Sequence, residues 1–203
     1  MIRLEKDGGL WIATIDRPEK ANSLTEAMLT DLAEIAEAAQ DARALVLTGA
    51  GSVFSAGADL DAARAGLALS PVWERLSGAI AALPCLTIAA LNGTVAGGAM
   101  GMVLACDLRV AVPRAKAFYP VMKLGFLPQP SDPPRLVQLT GTARAKMVLM
   151  GGVKLEADTA LAWGLFDQIT EPENLMETVR ALAADTLAAT PEHAAAIKSM
   201  CAG

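Results

Sequence analysis

The spacing of apolar and polar positions changes several times along this 203-residue chain, and each change marks an element. Residues 2–5 and 10–15 read as short strands joined by Asp7-Gly8-Gly9, a hairpin-type turn. Asp16-Arg17-Pro18 ends the second strand. Ser23-Leu24-Thr25-Glu26 supplies helix-start signals. Met28, Leu29, Leu32, Ile35 and Ala36 then recur at helical spacing and predict an amphipathic helix to about residue 39. Residues 44–48 are wholly apolar except for the closing Thr48, as a buried strand would be, and Gly49-Ala50-Gly51 breaks the run. A polar loop continues to Leu60, and the alanine-rich stretch 61–69 reads as helical or mobile. Residues 71–83 predict a second helix, 86–91 a second buried strand and 97–106 a short, almost wholly apolar helix. Strands at 108–112 and 117–119 follow.

The character changes at Pro120. Pro128, Pro130, Pro133 and Pro134 stiffen a loop around Ser131 and Asp132. Helical patterns follow at 134–139, 143–150, 156–163, 175–188 and 191–200, with one strand at 166–169 between them. Strand–helix alternation in the first part predicts an α/β fold with a mostly parallel sheet. The expected organisation is an α/β core over residues 1–133 and a helical C-terminal region over 134–203.

Hydrophobic residues make up 53% of the chain and charged residues only 19%, which fits either a large buried core or an extended subunit interface. The net charge is −5 and no run of Lys or Arg stands out, so nucleic acid is an unexpected partner. Cys85, Cys106 and Cys201 lack CxxC spacing, as in a reducing compartment. His193 is the only histidine and no metal-ligand cluster is evident, so no metal is expected. Glu5 and Asp7 argue against a signal peptide, and no apolar stretch reaches the length of a membrane span. The expected compartment is the cytoplasm.

Two segments look built to hold an oxygen that becomes negatively charged. They are Phe54-Ser55-Ala56-Gly57-Ala58-Asp59-Leu60 and Asn92-Gly93-Thr94-Val95-Ala96-Gly97-Gly98-Ala99-Met100-Gly101. Each follows a strand-like run, and the second opens a helix whose first N–H groups and dipole favour an anion. Gly97-Gly98 would let the backbone approach a ligand closely. Nucleotide-binding readings fail on spacing: Phe54 stands where a dinucleotide fingerprint after Gly49-Ala50-Gly51 needs glycine, and no Gly-Lys-Ser/Thr occurs. A serine hydrolase is poorly supported, because there is no Gly-x-Ser-x-Gly and His193 lies in a late, polar helix start.

Asp16-Arg17-Pro18 with Ala21-Asn22-Ser23-Leu24, the stretches 54–60 and 92–107, and Ala160-Leu161-Ala162-Trp163-Gly164-Leu165-Phe166-Asp167 resemble, in order and spacing, the crotonase (enoyl-CoA hydratase/isomerase) family. The resemblance implies a spiral of β-β-α units with a C-terminal helical region, usually assembled as a homotrimer or dimer of trimers. It also implies an acyl-CoA thioester substrate, with coenzyme A as part of that substrate and no separate cofactor. The two N–H groups that polarise the thioester carbonyl map to Ala58 and Gly98. Substrate contacts carry over to Lys20, Ala21, Ser23 and Leu24 around the coenzyme, and to Ala56, Asp59, Gly97, Gly101, Val121 and Gln129. Arg64 stands near the place where relatives meet a coenzyme phosphate, although Asp61 occupies that place itself. Members of the family generally continue for several tens of residues past the point matched by Gly203, in helices that cover the acyl pocket and build the trimer.

Hydratases of the family use two glutamates, whose positions fall here on Gly101 and Val121. Neither residue can move a proton, so isomerisation or decarboxylation is expected over hydration. Other branches place a single Asp or Tyr in the following loop, at a position matching Gln129. Asp132, three residues on, is the candidate acid/base, because a carboxylate in an apolar cleft has a raised pKa. Its competing reading is a helix N-cap before Pro133-Pro134-Arg135. Tyr119 is a weaker candidate, since strand alternation is expected to turn it away from the site. Asp59 is also expected to tie its loop. The rival to an enzyme is a catalytically silent acyl-CoA binder or assembly subunit of the same fold.

Overall fold

The structure, a computed structural model, describes residues 1–201; the final two residues of the expected C-terminal region, 202 and 203, lie outside the described residues. The chain begins with the antiparallel hairpin β1 (Ile2–Asp7) and β2 (Leu10–Ile15), turned by Gly8-Gly9. A 3-10 turn at Pro18–Lys20 leads to α1 (Glu26–Ala38), whose N-cap Thr25 accepts a hydrogen bond from the Met28 N–H. Its buried face carries Met28, Leu29, Leu32, Ala33 and Ala36. Then come β3 (Ala44–Gly49), β4 (Val53–Ser55), α2 (Leu60–Arg64) and α3 (Val72–Ala81). The pattern repeats as β5 (Leu86–Leu91), β6 (Thr94–Ala96) and α4 (Ala99–Ala105), and again as β7 (Leu108–Ala111), β8 (Lys116–Phe118) and α5 (Val121–Leu124). The remainder holds α6 (Asp132–Thr140), α7 (Thr142–Leu149), β9 (Leu155–Glu156), α8 (Ala157–Ala162), β10 (Gln168–Ile169), α9 (Leu175–Ala188) and α10 (Pro191–Cys201).

Each repeat sends one strand into each of two sheets and then closes with a helix, which makes a spiral of β-β-α units. The larger sheet has the order β1-β2-β3-β5-β7-β10 and is parallel from β2 onward. Its central strands are buried on both faces, which is why they read as unbroken apolar runs. The smaller sheet, β4-β6-β8-β9, is built from strands of two or three residues. Helix α9 packs on β3, β5 and β7, while α1, α3, α4 and α6 pack against one another in succession. The C-terminal region is helical but also contributes β9 and β10, one to each sheet. Cys85 and Cys106 are buried core residues, and the three cysteines are free.

Candidate active site

The first donor segment is shaped by a left-handed pair just ahead of α1. Ala21 and Asn22 have φ of 50° and 54°, and the Asn22 side chain fixes this bend. Its Oδ1 accepts from the Arg17 N–H, and its Nδ2 donates to the Ala50 and Val53 carbonyls. The bent segment is then stitched to residues 56–59. Ala56 N–H donates to Ala21 O, Leu24 N–H to Gly57 O, and Asp59 N–H to Leu24 O. Asp59 does tie its loop. One carboxylate oxygen accepts from Arg17 Nη1 at 2.8 Å, and the other from the N–H groups of Asp61 and Ala62. Arg17 and the first α2 amides hold this carboxyl below the usual carboxylate range.

Strand pairing brings the second donor segment alongside the first. Strands β4 and β6 are parallel neighbours, and the chain after each turns through a glycine: Gly57 at φ 89° and Gly97 at φ 57°. A Cβ on Gly57 would lie 2.7 Å from the Ala96 carbonyl oxygen, so the two backbones touch here and only glycine fits. Gly97 N–H donates to Phe118 O, which fastens the end of β8 to the same place. Gly98 is glycine for a different reason. A Cβ there would stand 3.1 Å from the Trp73 ring, which is buried beneath it with Nε1 donating to Leu67 O. Among the described residues, neither the Ala58 N–H nor the Gly98 N–H donates to any protein acceptor.

Both donors open into one cavity of about 570 Å³. Ala21, Ala56, Ala58, Arg64, Gly97, Gly98, Val121 and Gln129 line it, so most of the candidate residues converge. Lys20, Ser23, Leu24, Asp59, Gly101 and Asp132 do not line it. Lys20 is exposed, Leu24 is fully buried, and Arg64 sits at the rim with 78% of its side chain exposed beside Asp61. Most of the rest of the wall is apolar, including Trp73, Phe118, Leu124, Phe126 and Leu127, which sequence reasoning did not single out. Trp73 falls in the ordinary apolar face of α3, so nothing in the sequence separates it from core. A larger cavity of about 790 Å³ lies elsewhere, between α6, α9, α10 and the ends of β5 and β7, away from both donors.

Asp132 stands behind the cavity wall, only 1% exposed. It is the first residue of α6 rather than its cap. Its Oδ2 accepts the Tyr119 hydroxyl at 2.8 Å, and its Oδ1 is buried without a partner among the described residues. Burial is the main cause that pushes its carboxyl up to about 6, opposed by the Tyr119 hydrogen bond and assisted by Glu74. Burial first, and then Asp132, push the Tyr119 hydroxyl well above its ordinary value. A Cβ on Gly101 would lie 2.8 Å from Asp132 Oδ1, so this carboxylate fills the space that a side chain at 101 would enter. Tyr119 lines the cavity, contrary to the alternation expected of a strand. Strand β8 ends at Phe118, so Tyr119 lies past the strand, in the turn that leads into α5, where alternation no longer applies. The loop before α6 is held by Glu74, which accepts from Ser131 N–H at 2.9 Å and Ser131 Oγ at 2.6 Å, and by Gln129 Nε2 donating to Ala68 O.

A family model described as enoyl-CoA hydratase/isomerase matches residues 5–202. A short-chain-enoyl-CoA hydratase of Clostridium acetobutylicum is 33% identical over 193 residues, which are 89% of this chain and 72% of that protein. A 1,2-epoxyphenylacetyl-CoA isomerase of Escherichia coli is 33% identical over 187 residues, 86% of this chain and 71% of that one. The solved structure of an enoyl-CoA hydratase from Bacillus anthracis superposes with a TM-score of 0.89 at 29% identity, covering 98% of this chain and 81% of that one.

Proposed function

Since the chain belongs to the enoyl-CoA hydratase/isomerase family, we propose that it binds an acyl-CoA thioester and stabilises its enolate with the Ala58 and Gly98 N–H groups. The observation that carries this reading is the pair of unengaged backbone donors opening into one apolar cavity. A backbone N–H in such a place is strongly favourable to a developing oxyanion. Each donor of this kind is worth roughly 3–4 kcal/mol to a developing charge in a water-poor site. The acyl chain would lie against Trp73, Phe118 and Leu127, and Arg64 at the rim would face a coenzyme phosphate.

Isomerisation or decarboxylation is favoured over hydration. Hydration by the two-glutamate route needs carboxylates at 101 and 121, where glycine and valine stand. Both favoured reactions pass through an enolate and can proceed with a single proton carrier. Purified protein incubated with 3-enoyl-, dienoyl- and malonyl-type CoA esters is expected to yield isomerised or decarboxylated product. Faster hydration of a 2-enoyl ester than of any of these would contradict the preference. Binding without turnover of any ester would favour a silent acyl-CoA binder.

A further inference from the structure

We propose that Tyr119 and Asp132 form a two-residue proton relay, in which the Tyr119 hydroxyl meets the reacting carbon of the bound thioester and Asp132 acts behind it. The relay rests on the enolate reading above and supplies the proton carrier that reading lacks.

Among the described residues lining the cavity, Tyr119 and Arg64 are the only titratable ones. The Arg64 guanidinium is permanently charged, three-quarters exposed and paired with Asp61, so it cannot exchange protons with a carbon acid. Tyr119 remains, and it is next to Phe118, whose carbonyl accepts from Gly97 beside the Gly98 donor. The tyrosine therefore lines the same cavity as the Gly98 donor, next in the chain to the residue fastened beside it. Its hydroxyl donates to Asp132 Oδ2 at 2.8 Å, and the Tyr119 oxygen itself receives a long 3.5 Å contact from the Gln129 N–H. Asp132 does not itself line the cavity, and its hydrogen bond to a lining residue is the one from this hydroxyl.

The surroundings of Asp132 suit a group that stores a proton. Helix α4 packs against it through Gly101 and offers no charged side chain. From α3 comes Glu74, which is held by Ser131, and from α6 itself comes Arg135. The end of β8 contributes only Tyr119. Oδ2 already accepts from the Tyr119 hydroxyl, so a proton can pass to it along the existing hydrogen bond.

In the forward step, Tyr119 Oη accepts a proton from the α-carbon while its own proton passes to Asp132 Oδ2. The C–H electron pair moves onto the thioester oxygen, which Ala58 and Gly98 hold. The products are an enolate, a neutral tyrosine and a protonated Asp132. Concerted transfer avoids a free phenolate, which burial disfavours. Running the transfer in reverse, at the α- or the γ-carbon, returns the proton and regenerates the carboxylate. In decarboxylation the enolate arises by loss of carbon dioxide, and the reverse step alone completes the reaction with a proton drawn from protonated Asp132.

Deuterium exchange tests the relay without knowledge of the natural substrate. Butyryl-CoA and 3-hexenoyl-CoA are incubated with protein in D₂O, α-deuteration is followed by mass spectrometry, and ester binding is measured in parallel. The wild type is expected to exchange, with a rate that rises as pH passes through about 6 and then levels. Tyr119→Phe is expected to lose about 100-fold or more in exchange while binding both esters within a few-fold of wild type. Asp132→Asn should lose comparably, and its residual exchange should be flat with pH, a change that a purely structural tie would not produce. Wild-type exchange in Tyr119→Phe, or binding without exchange in the wild type, overturns the relay. If Tyr119→Phe does not fold, a profile in Asp132→Asn that still inflects near pH 6 overturns it. Absence of binding by the wild type removes the thioester reading itself, and the relay with it.

Discussion

At the scale of single residues, Asp132 is the side chain whose environment departs furthest from what its type prefers. Burial raises its carboxyl from an ordinary value of 3.8 to about 6. The folded chain therefore takes up a proton between those values that the unfolded chain does not hold, and stability falls as pH rises through that window. Above it, ionised Asp132 costs the fold about 3 kcal/mol. Asp59 runs the other way, since Arg17 holds its carboxyl low and its contribution is lost on acidification through the lowered value. Asp132→Asn keeps an acceptor for Tyr119 but cannot ionise. It should melt with the wild type at pH 4 and several degrees above it at pH 8, with the Asp59 effect common to both proteins. A melting difference that is the same at both pH values would contradict the buried, titrating carboxyl. A residue that costs stability where it ionises is what a functional site often keeps.

At the scale of elements, the donor pair depends on the contact between the turns that follow β4 and β6. Gly57→Ala would force a left-handed residue with a Cβ 2.7 Å from Ala96 O, and should cost about 1–3 kcal/mol in denaturant unfolding. Acyl-CoA binding should weaken with it, because the Ala58 N–H moves. A loss below about 0.5 kcal/mol would place this contact outside the determinants of the fold. The same elements explain what could be read in advance. Strands β3 and β5 are six residues long and almost wholly apolar, so their runs are plain in the sequence. Strands β4 and β6 have three residues each, too few for a period to show, so of the smaller sheet only β8 is read from the sequence. The donors themselves were legible because glycines mark them. The helix expected from residue 97 starts at Ala99, since Gly97 is left-handed and Gly98 is the cap. The Tyr119–Asp132 pair was not legible: thirteen residues separate its members, across the turn at Pro120, the short α5 and an irregular loop.

At the scale of the whole molecule, two sheets and the helices around them converge on a mainly apolar cavity, faced also by backbone N–H groups, Thr94, Tyr119, Gln129 and the rim Arg64. Family membership accounts for this architecture, since the match runs over nearly the whole chain. The proposed chemistry departs from a two-glutamate hydratase at two positions, Gly101 and Val121, and rests on the two backbone N–H groups. Polarisation of a thioester carbonyl is thus the property on which every proposed step depends. Infrared difference spectroscopy of a CoA ester carrying ¹³C at the thioester carbonyl reads that property directly. On binding, the carbonyl band is expected to shift to lower frequency than in water, because two aligned donors in an apolar cavity outweigh the hydrogen bonds of bulk solvent. A bound ester whose carbonyl band stays at its solution frequency, or moves higher, would contradict the account.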